Sequence, residues 1–234
     1  MARKHQTFPE SRRVIRSTHF SSTRRSSIVR RYIRNSAIAI LATLTVSSTG
    51  AQEQRVLSPA GHSAVQIGGT HDVQYGTVGG KWIDVFYGRP IKRGRDLFGP
   101  PDWAAMLNDG ADVWRAGANQ STRLVTELPL LIDGTWIEPG EYTLFVSLSN
   151  DVWVFIVSTW SAMEHYDYER KDALFGAYDY TPDRDVLRTP MQLDTLPHAF
   201  EQLSWQFLDI DDDGGRLALF WDTKMASVTF SFSE

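Results

Sequence analysis

The chain has 234 residues, a length that fits one all-β domain preceded by a leader. It contains no cysteine, which excludes disulfides, thiolate metal sites and a cysteine nucleophile. Residues 1–51 carry ten Lys/Arg and one acidic residue, whereas residues 52–234 carry 14 basic and 27 acidic residues. The acidic body argues against nucleic acid as a partner.

Residues 1–51 have the features of a basic leader and secretory signal peptide. Within them, residues 37–46 form an apolar run of ten residues, too short for a membrane-spanning helix of about 20 residues. Arginines precede this run and small residues follow it, the order of an export signal cleaved after Ala51. We therefore expect an exported protein, periplasmic or extracellular, with no transmembrane segment in its mature form.

Residues 55–234 predict a single β-rich domain, because short alternating runs are separated by Gly, Pro, Asn and Asp. This pattern indicates an all-β fold, an antiparallel β-sandwich or barrel-like domain with one or two short helical turns. The strand-like runs are 81–87, 122–128, 130–132, 136–137, 142–148, 152–158, 200–210, 216–221 and 228–232. Residues 101–107 are predicted to be helical, and residues 161–174 a surface helix or loop.

Residues 112–122, D-V-W-R-A-G-A-N-Q-S-T, combine an aromatic ring, a fixed charge, a glycine and an amide. Five of the domain's 14 basic residues lie between positions 89 and 115. Arginine offers a planar fork that suits carboxylate, phosphate or sulfate, and Trp114 and Tyr87 offer rings for stacking. The candidate ligand-binding residues are Arg89, Lys92, Arg95, Trp114, Arg115 and Asn119. The alternative is structural: Arg115 and Asn119 satisfy buried backbone carbonyls and pair with Asp96 or Asp112.

A second candidate is the sequence D-I-D-D-D-G at 209–214, in which Asp209, Asp211 and Asp213 have the spacing that opens a calcium loop. An EF-hand needs Glu at its twelfth position, where this chain has Phe220. The Gly pair that follows favours a plain β-hairpin instead. No other metal or cofactor motif is present, since the histidines lack metal-ligand spacing and no phosphate-binding or nucleophile-elbow motif occurs.

Several segments together resemble the DUF2911 family of exported bacterial proteins of unknown function. They are Y-G-R-P at 87–90, K-R-G-R-D-L-F-G at 92–99, V-W-R-A-G-A-N at 113–119, P-G-E-Y-T-L-F at 139–145, F-G-A-Y-D-Y at 175–180, D-V-L-R at 185–188 and L-A-L-F-W at 217–221. The resemblance implies a β-rich exported domain. It brings no catalytic residue and no ligand.

Three functions remain open on the sequence alone. The first is a module that binds a small anionic or sugar-like ligand at the Arg/Trp/Asn loop surface. The second is a hydrolase-type enzyme that uses Asp84, Asp112 or a histidine beside the same arginines. The third is an envelope interaction protein without a small ligand. A cavity that contains Arg115 would favour the first two.

Overall fold

The computed structural model describes residues 56–233, so the predicted leader lies outside the described residues. The fold is all-β, as predicted, and its two larger sheets are antiparallel. The strands are β1 (Ala60–Ile67), β2 (Thr70–Asp72), β3 (Gly76–Val78), β4 (Lys81–Gly88), β5 (Thr122–Thr126), β6 (Leu130–Ile132), β7 (Thr135–Ile137), β8 (Gly140–Ser147), β9 (Val154–Ser158), β10 (Ser161–Ala162), β11 (Ala173–Leu174), β12 (Asp185–Pro190), β13 (Gln192–Leu208) and β14 (Gly214–Ser231).

Six strands form the first sheet in the order β1-β4-β5-β8-β9-β12, and all neighbours are antiparallel. In β4, buried and exposed side chains alternate with a period of two. Ile83 and Val85 are fully buried on one face, while Trp82 on the other face is exposed. One face of the sheet is therefore the inner wall of the domain.

The second sheet has the order β13-β14-β6-β7 and is dominated by the long β13–β14 hairpin. Trp205 and Leu219 from this hairpin are fully buried, as are Leu144 and Phe155 from the first sheet. All four belong to one hydrophobic cluster, so the two sheets pack face to face as a sandwich. Two small pairs complete the fold, an antiparallel β2–β3 and a parallel β10–β11.

A second, smaller core covers the outer face of the first sheet. Phe145 and Ile156 point away from the main core and pack against Trp160, Leu174 and Tyr180. Residues 161–174, which follow Trp160, are the segment predicted to be a surface helix or loop. It is an irregular loop that begins at β10 and ends at β11, and it contains no helix.

The helical turn predicted at 101–107 is confirmed as α1 (Trp103–Asn108). The other short turn is a 3-10 turn at Pro182–Arg184, outside the segments that were predicted to be helical. The C-cap of α1 is Asp109, whose backbone is left-handed (φ 55°) and whose N–H donates to the carbonyl of Ala105. Within residues 56–233, no helix is both long and apolar enough to cross a membrane.

Candidate functional site

The loop at 114–119 lies against the end of β4, and glycine allows this approach. A Cβ atom on Gly88 would stand 1.8 Å from the carbonyl oxygen of Ala118. On the other side of the contact, a Cβ on Gly117 would stand 3.1 Å from the carbonyl oxygen of Gly88. The close approach of the two backbones therefore requires glycine at position 88, and a side chain at position 117 would also be tightly packed.

Hydrogen bonds from both sheets hold this loop. The carbonyl of Ala116 accepts from Thr122 Oγ1 at 3.2 Å and from Trp205 Nε1 at 3.0 Å. Trp114 exchanges two backbone hydrogen bonds with Val146, each 2.9 Å long. Ala116 and Asn119 both have positive φ, 52° and 64°. The loop is therefore a fixed part of the sandwich rather than a free surface segment.

The opposite wall is the segment 174–178, which Ser121 anchors. The buried hydroxyl of Ser121 lies 3.1 Å from the carbonyl oxygen of Leu174 and 2.7 Å from that of Gly176. Gly176 has φ 69°, and a Cβ there would stand 2.9 Å from Nη1 of Arg115. Glycine at this position thus leaves room for the arginine side chain.

Arg115 is held on three sides. Nη1 donates to the carbonyl of Asn119 at 2.9 Å, and Nη2 donates to Asp109 Oδ2 at 2.8 Å. The Tyr178 hydroxyl donates to the same carboxylate oxygen at 2.6 Å, and the guanidinium lies 5.4 Å from the centre of the Tyr178 ring. The predicted pairing with Asp96 or Asp112 is wrong for Arg115, because the end of α1 brings Asp109 closer.

The hydroxyl of Tyr178 is the main cause of a lowered pKa for Asp109, and Arg115 adds to it by a hydrogen bond and by its charge. Partial burial opposes the shift. The carboxylate is therefore ionised near neutral pH. The Arg115 side chain is only 11 % exposed, whereas that of Asp109 is 61 % exposed.

These residues line a cleft of about 410 Å³. Its polar lining consists of Arg95, Asp109, Arg115, Asn119 and Tyr178. The guanidinium of Arg95 is fixed by the carbonyls of Lys92 (2.9 Å) and Ile91 (2.7 Å). Three of the predicted residues, Arg95, Arg115 and Asn119, therefore meet at one cleft.

Trp114 also lines the cleft, but only from below. It is 2 % exposed and stacks on Trp221, with ring centroids 6.0 Å apart and planes 13° apart. It forms the floor rather than an open stacking wall. Trp221 lines the same cleft, and its buried Nε1 has no hydrogen-bond partner within residues 56–233.

Arg89 and Lys92 are not in the cleft lining. Arg89 donates to the carbonyl of Leu203 at 3.3 Å and to Ser204 Oγ at 3.2 Å. Lys92 pairs with the buried Asp222 at 2.5 Å. Both side chains connect the segment after β4 to the second sheet. They therefore stabilise the position of this segment without lining the cleft.

The candidate catalytic groups, Asp84, Asp112 and the histidines, are not among the described residues that line the cleft. Asp84 accepts from His62 at 2.7 Å on the outer face of the first sheet. Glu164 and His165 line a second cavity of about 390 Å³, which shares Ala118, Asn119 and Phe175 with the cleft. Sequence reasoning missed Asp109, Phe175 and Tyr178. The F-G-A-Y segment at 175–178 is part of the resemblance to the family, but its own residues contain no motif that predicts a binding site.

The 209–214 segment is a hairpin turn. Asp211 Oδ1 accepts the backbone N–H groups of Asp213 and Gly214, each at 2.9 Å. Asp209 instead pairs with Arg216, whose Nε lies 2.8 Å from Asp209 Oδ2. Across residues 56–233, no group of three or more His, Cys, Asp or Glu side chains is placed to hold a metal ion.

The molecule is thus an antiparallel β-sandwich that carries a partly cationic cleft at one end of its first sheet. The chain belongs to a family described as protein of unknown function (DUF2911), whose model matches residues 70–230. The match runs from the start of β2 to the last residue but one of β14, and it includes every residue of the cleft named above. No curated protein and no solved structure matches the chain.

Proposed function

We propose that this protein binds a small ligand that carries a carboxylate or a similar oxyanion on a ring of sugar size. One observation carries the proposal: Arg95 and Arg115 line the same cleft, and backbone carbonyls hold both guanidinium groups in place. A fixed guanidinium loses little freedom when it binds an oxyanion. The surrounding domain is strongly acidic, so a paired arginine site is distinct from the rest of the surface.

The free donors of the cleft support the same ligand class. Nε of Arg115 and Nη1 of Arg95 make no hydrogen bond to another side chain or carbonyl among residues 56–233. Asp109 offsets one positive charge and offers a carboxylate oxygen to a sugar hydroxyl. The Tyr178 ring, 40 % exposed, offers a face on which a sugar ring can stack. The cleft volume lies within the usual range of ligand pockets, about 300–1,000 Å³.

The leader adds a proposal about location. The basic flank, the short apolar run and the small residues that end at Ala51 support export, so the ligand would be met outside the cytoplasm.

Thermal unfolding of the purified protein tests the binding proposal. The probes are galacturonate and glucuronate, neutral galactose, and inorganic phosphate and sulfate. We expect a uronate to raise Tm with concentration, and galactose to do so less, because a ligand that binds only the folded state stabilises it by mass action. An equal response to phosphate would identify a simple oxyanion as the recognised group.

Two variants localise the response. Arg95→Ala should abolish the uronate effect on Tm. Arg216→Ala removes an arginine that pairs with Asp209 in the distant hairpin and should leave the effect intact. If no acidic probe raises Tm, or if both variants lose the response equally, the binding proposal fails.

A further inference from the structure

The second cavity adjoins the cleft along the 118–119 stretch of the loop. Ala118, Asn119 and Phe175 line both spaces, so a ligand that fills the cleft lies next to the second cavity. Asn119 is held at this boundary, because its Nδ2 donates to the carbonyl of Ser58 at 3.0 Å. The two adjoining spaces are called the groove, and each space is one of its two lobes.

The two lobes differ in charge. The cleft contains Arg95 and Arg115. The second cavity is lined by Glu164, His165 and Gln120, and no Lys or Arg is among its described lining residues. Arg123 Nη2 lies 4.0 Å from Glu164 Oε1, whereas Arg123 Nη1 lies 3.1 Å from Glu141 Oε1. A second carboxylate on the ligand would therefore meet the carboxylate of Glu164.

The second lobe also offers an aromatic surface. Tyr166 and Phe175 pack edge to face, with ring centroids 6.1 Å apart. Tyr166 is 66 % exposed, so its ring is accessible beside Gln120 and Glu164. The aromatic ring suits the apolar face of an uncharged sugar, and the neighbouring amide and carboxylate suit its hydroxyl groups.

We propose that the groove binds an oligosaccharide in which a uronic acid is joined to an uncharged sugar, with the acid in the cleft and its neighbour against Tyr166. This inference rests on the proposed function, because it places the acidic unit at Arg95 and Arg115. It adds a second subsite and a rule of selectivity: an acidic unit followed by a neutral one is favoured over two acidic units.

Isothermal titration calorimetry on the purified protein measures its affinity for three probes: galacturonate, digalacturonate and the mixed disaccharide galacturonosyl-rhamnose. We expect the mixed disaccharide to bind at least tenfold more tightly than galacturonate, because it fills both lobes. Digalacturonate should gain less. A mixed disaccharide that binds no more tightly than the monosaccharide would overturn the inference and leave the proposed function standing.

Variants of the second lobe complete the test. Tyr166→Ala should reduce the mixed disaccharide to the affinity of galacturonate and leave galacturonate itself unchanged. Tyr168→Ala is the matched control, since Tyr168 is equally exposed and lines neither lobe. Glu164→Gln should raise the affinity for digalacturonate. If Tyr166→Ala binds the mixed disaccharide as tightly as the wild type does, the second subsite is rejected. If the wild-type protein does not bind galacturonate at all, the proposed function itself is rejected.

Discussion

The α-carbon of Gly88 lies so close to the loop that a Cβ there would stand 1.8 Å from the carbonyl oxygen of Ala118. This contact joins the end of β4 to the segment that carries Arg115 and Asn119. Because the clash would be with backbone atoms, neither partner can relieve it by rotating a side chain. The position of the cleft therefore depends on the absence of a Cβ atom at position 88.

Gly88→Ala should destabilise the protein by about 3 kcal/mol, the upper end of the usual cost of overpacking a well-packed site. Gly140→Ala is the control, because its Cβ would meet Tyr142 at an ordinary distance of 3.5 Å. Chemical denaturation measures both. A Gly88→Ala protein as stable as Gly140→Ala would show that the loop does not depend on this contact.

Tyr178→Phe should raise the pKa of Asp109 towards its ordinary value of about 3.9, because the tyrosine hydroxyl is the first cause of the lowered pKa. A lowered pKa in the folded state contributes stability above the unfolded pKa, and this stability is lost as pH falls through the folded pKa. The contribution therefore begins to decrease as pH falls below about 4, is lost as pH falls through the lower folded pKa of the wild type, and is smaller in the variant. Carboxyl NMR titration of Asp109 measures the shift; an unchanged titration would contradict the assigned cause.

Asp185 is a buried carboxylate whose partners should determine the stability of the second core. Its Oδ2 accepts from the Tyr180 hydroxyl at 2.5 Å and from Arg188 at 2.8 Å. Arg188→Ala leaves this carboxylate without a compensating charge. We expect a loss of about 3 kcal/mol, the low end for breaking a buried pair, because Arg188 is itself partly exposed. Arg170→Ala, which breaks an exposed pair with Asp172, should leave the unfolding midpoint unchanged.

The Asp211 carboxylate should stabilise the β13–β14 hairpin without calcium. Asp211→Ala removes the acceptor of two backbone N–H groups and should cost about 1 kcal/mol. Asp211→Asn keeps an acceptor oxygen and should cost less. We expect millimolar calcium to leave Tm unchanged in the wild type, because Asp209 is engaged by Arg216. A calcium-dependent rise in Tm that Asp211→Asn removes would support the calcium site instead.

Export should leave a mature protein that begins near Gln52. Mass spectrometry of the protein isolated from cells and from the surrounding medium measures its N-terminus. An intact cytosolic chain that retains residues 30–50 would contradict this prediction.

The main features of the fold follow from the sequence, because side-chain alternation is a local property. Ile83 and Val85 alternate with Trp82 and Asp84, and this pattern predicts the buried and exposed faces of β4 without any partner strand. The helical turn near position 103 is equally local. The W-R-A-G-A-N segment also marked the loop of the candidate site, since aromatic, charged and glycine residues lie within six positions.

The partners of the charged residues depend on tertiary packing. Arg95 and Arg115 meet at one cleft, whereas Lys92 turns to Asp222 and Arg89 to Ser204, more than 100 positions away. Arg115 binds Asp109 because the left-handed end of α1 places that carboxylate beside it, and Tyr178 arrives from a segment anchored by Ser121. Such pairings arise when two sheets and a covering loop pack together, and no local pattern encodes them, because the free energy that selects them belongs to contacts between segments far apart in the chain.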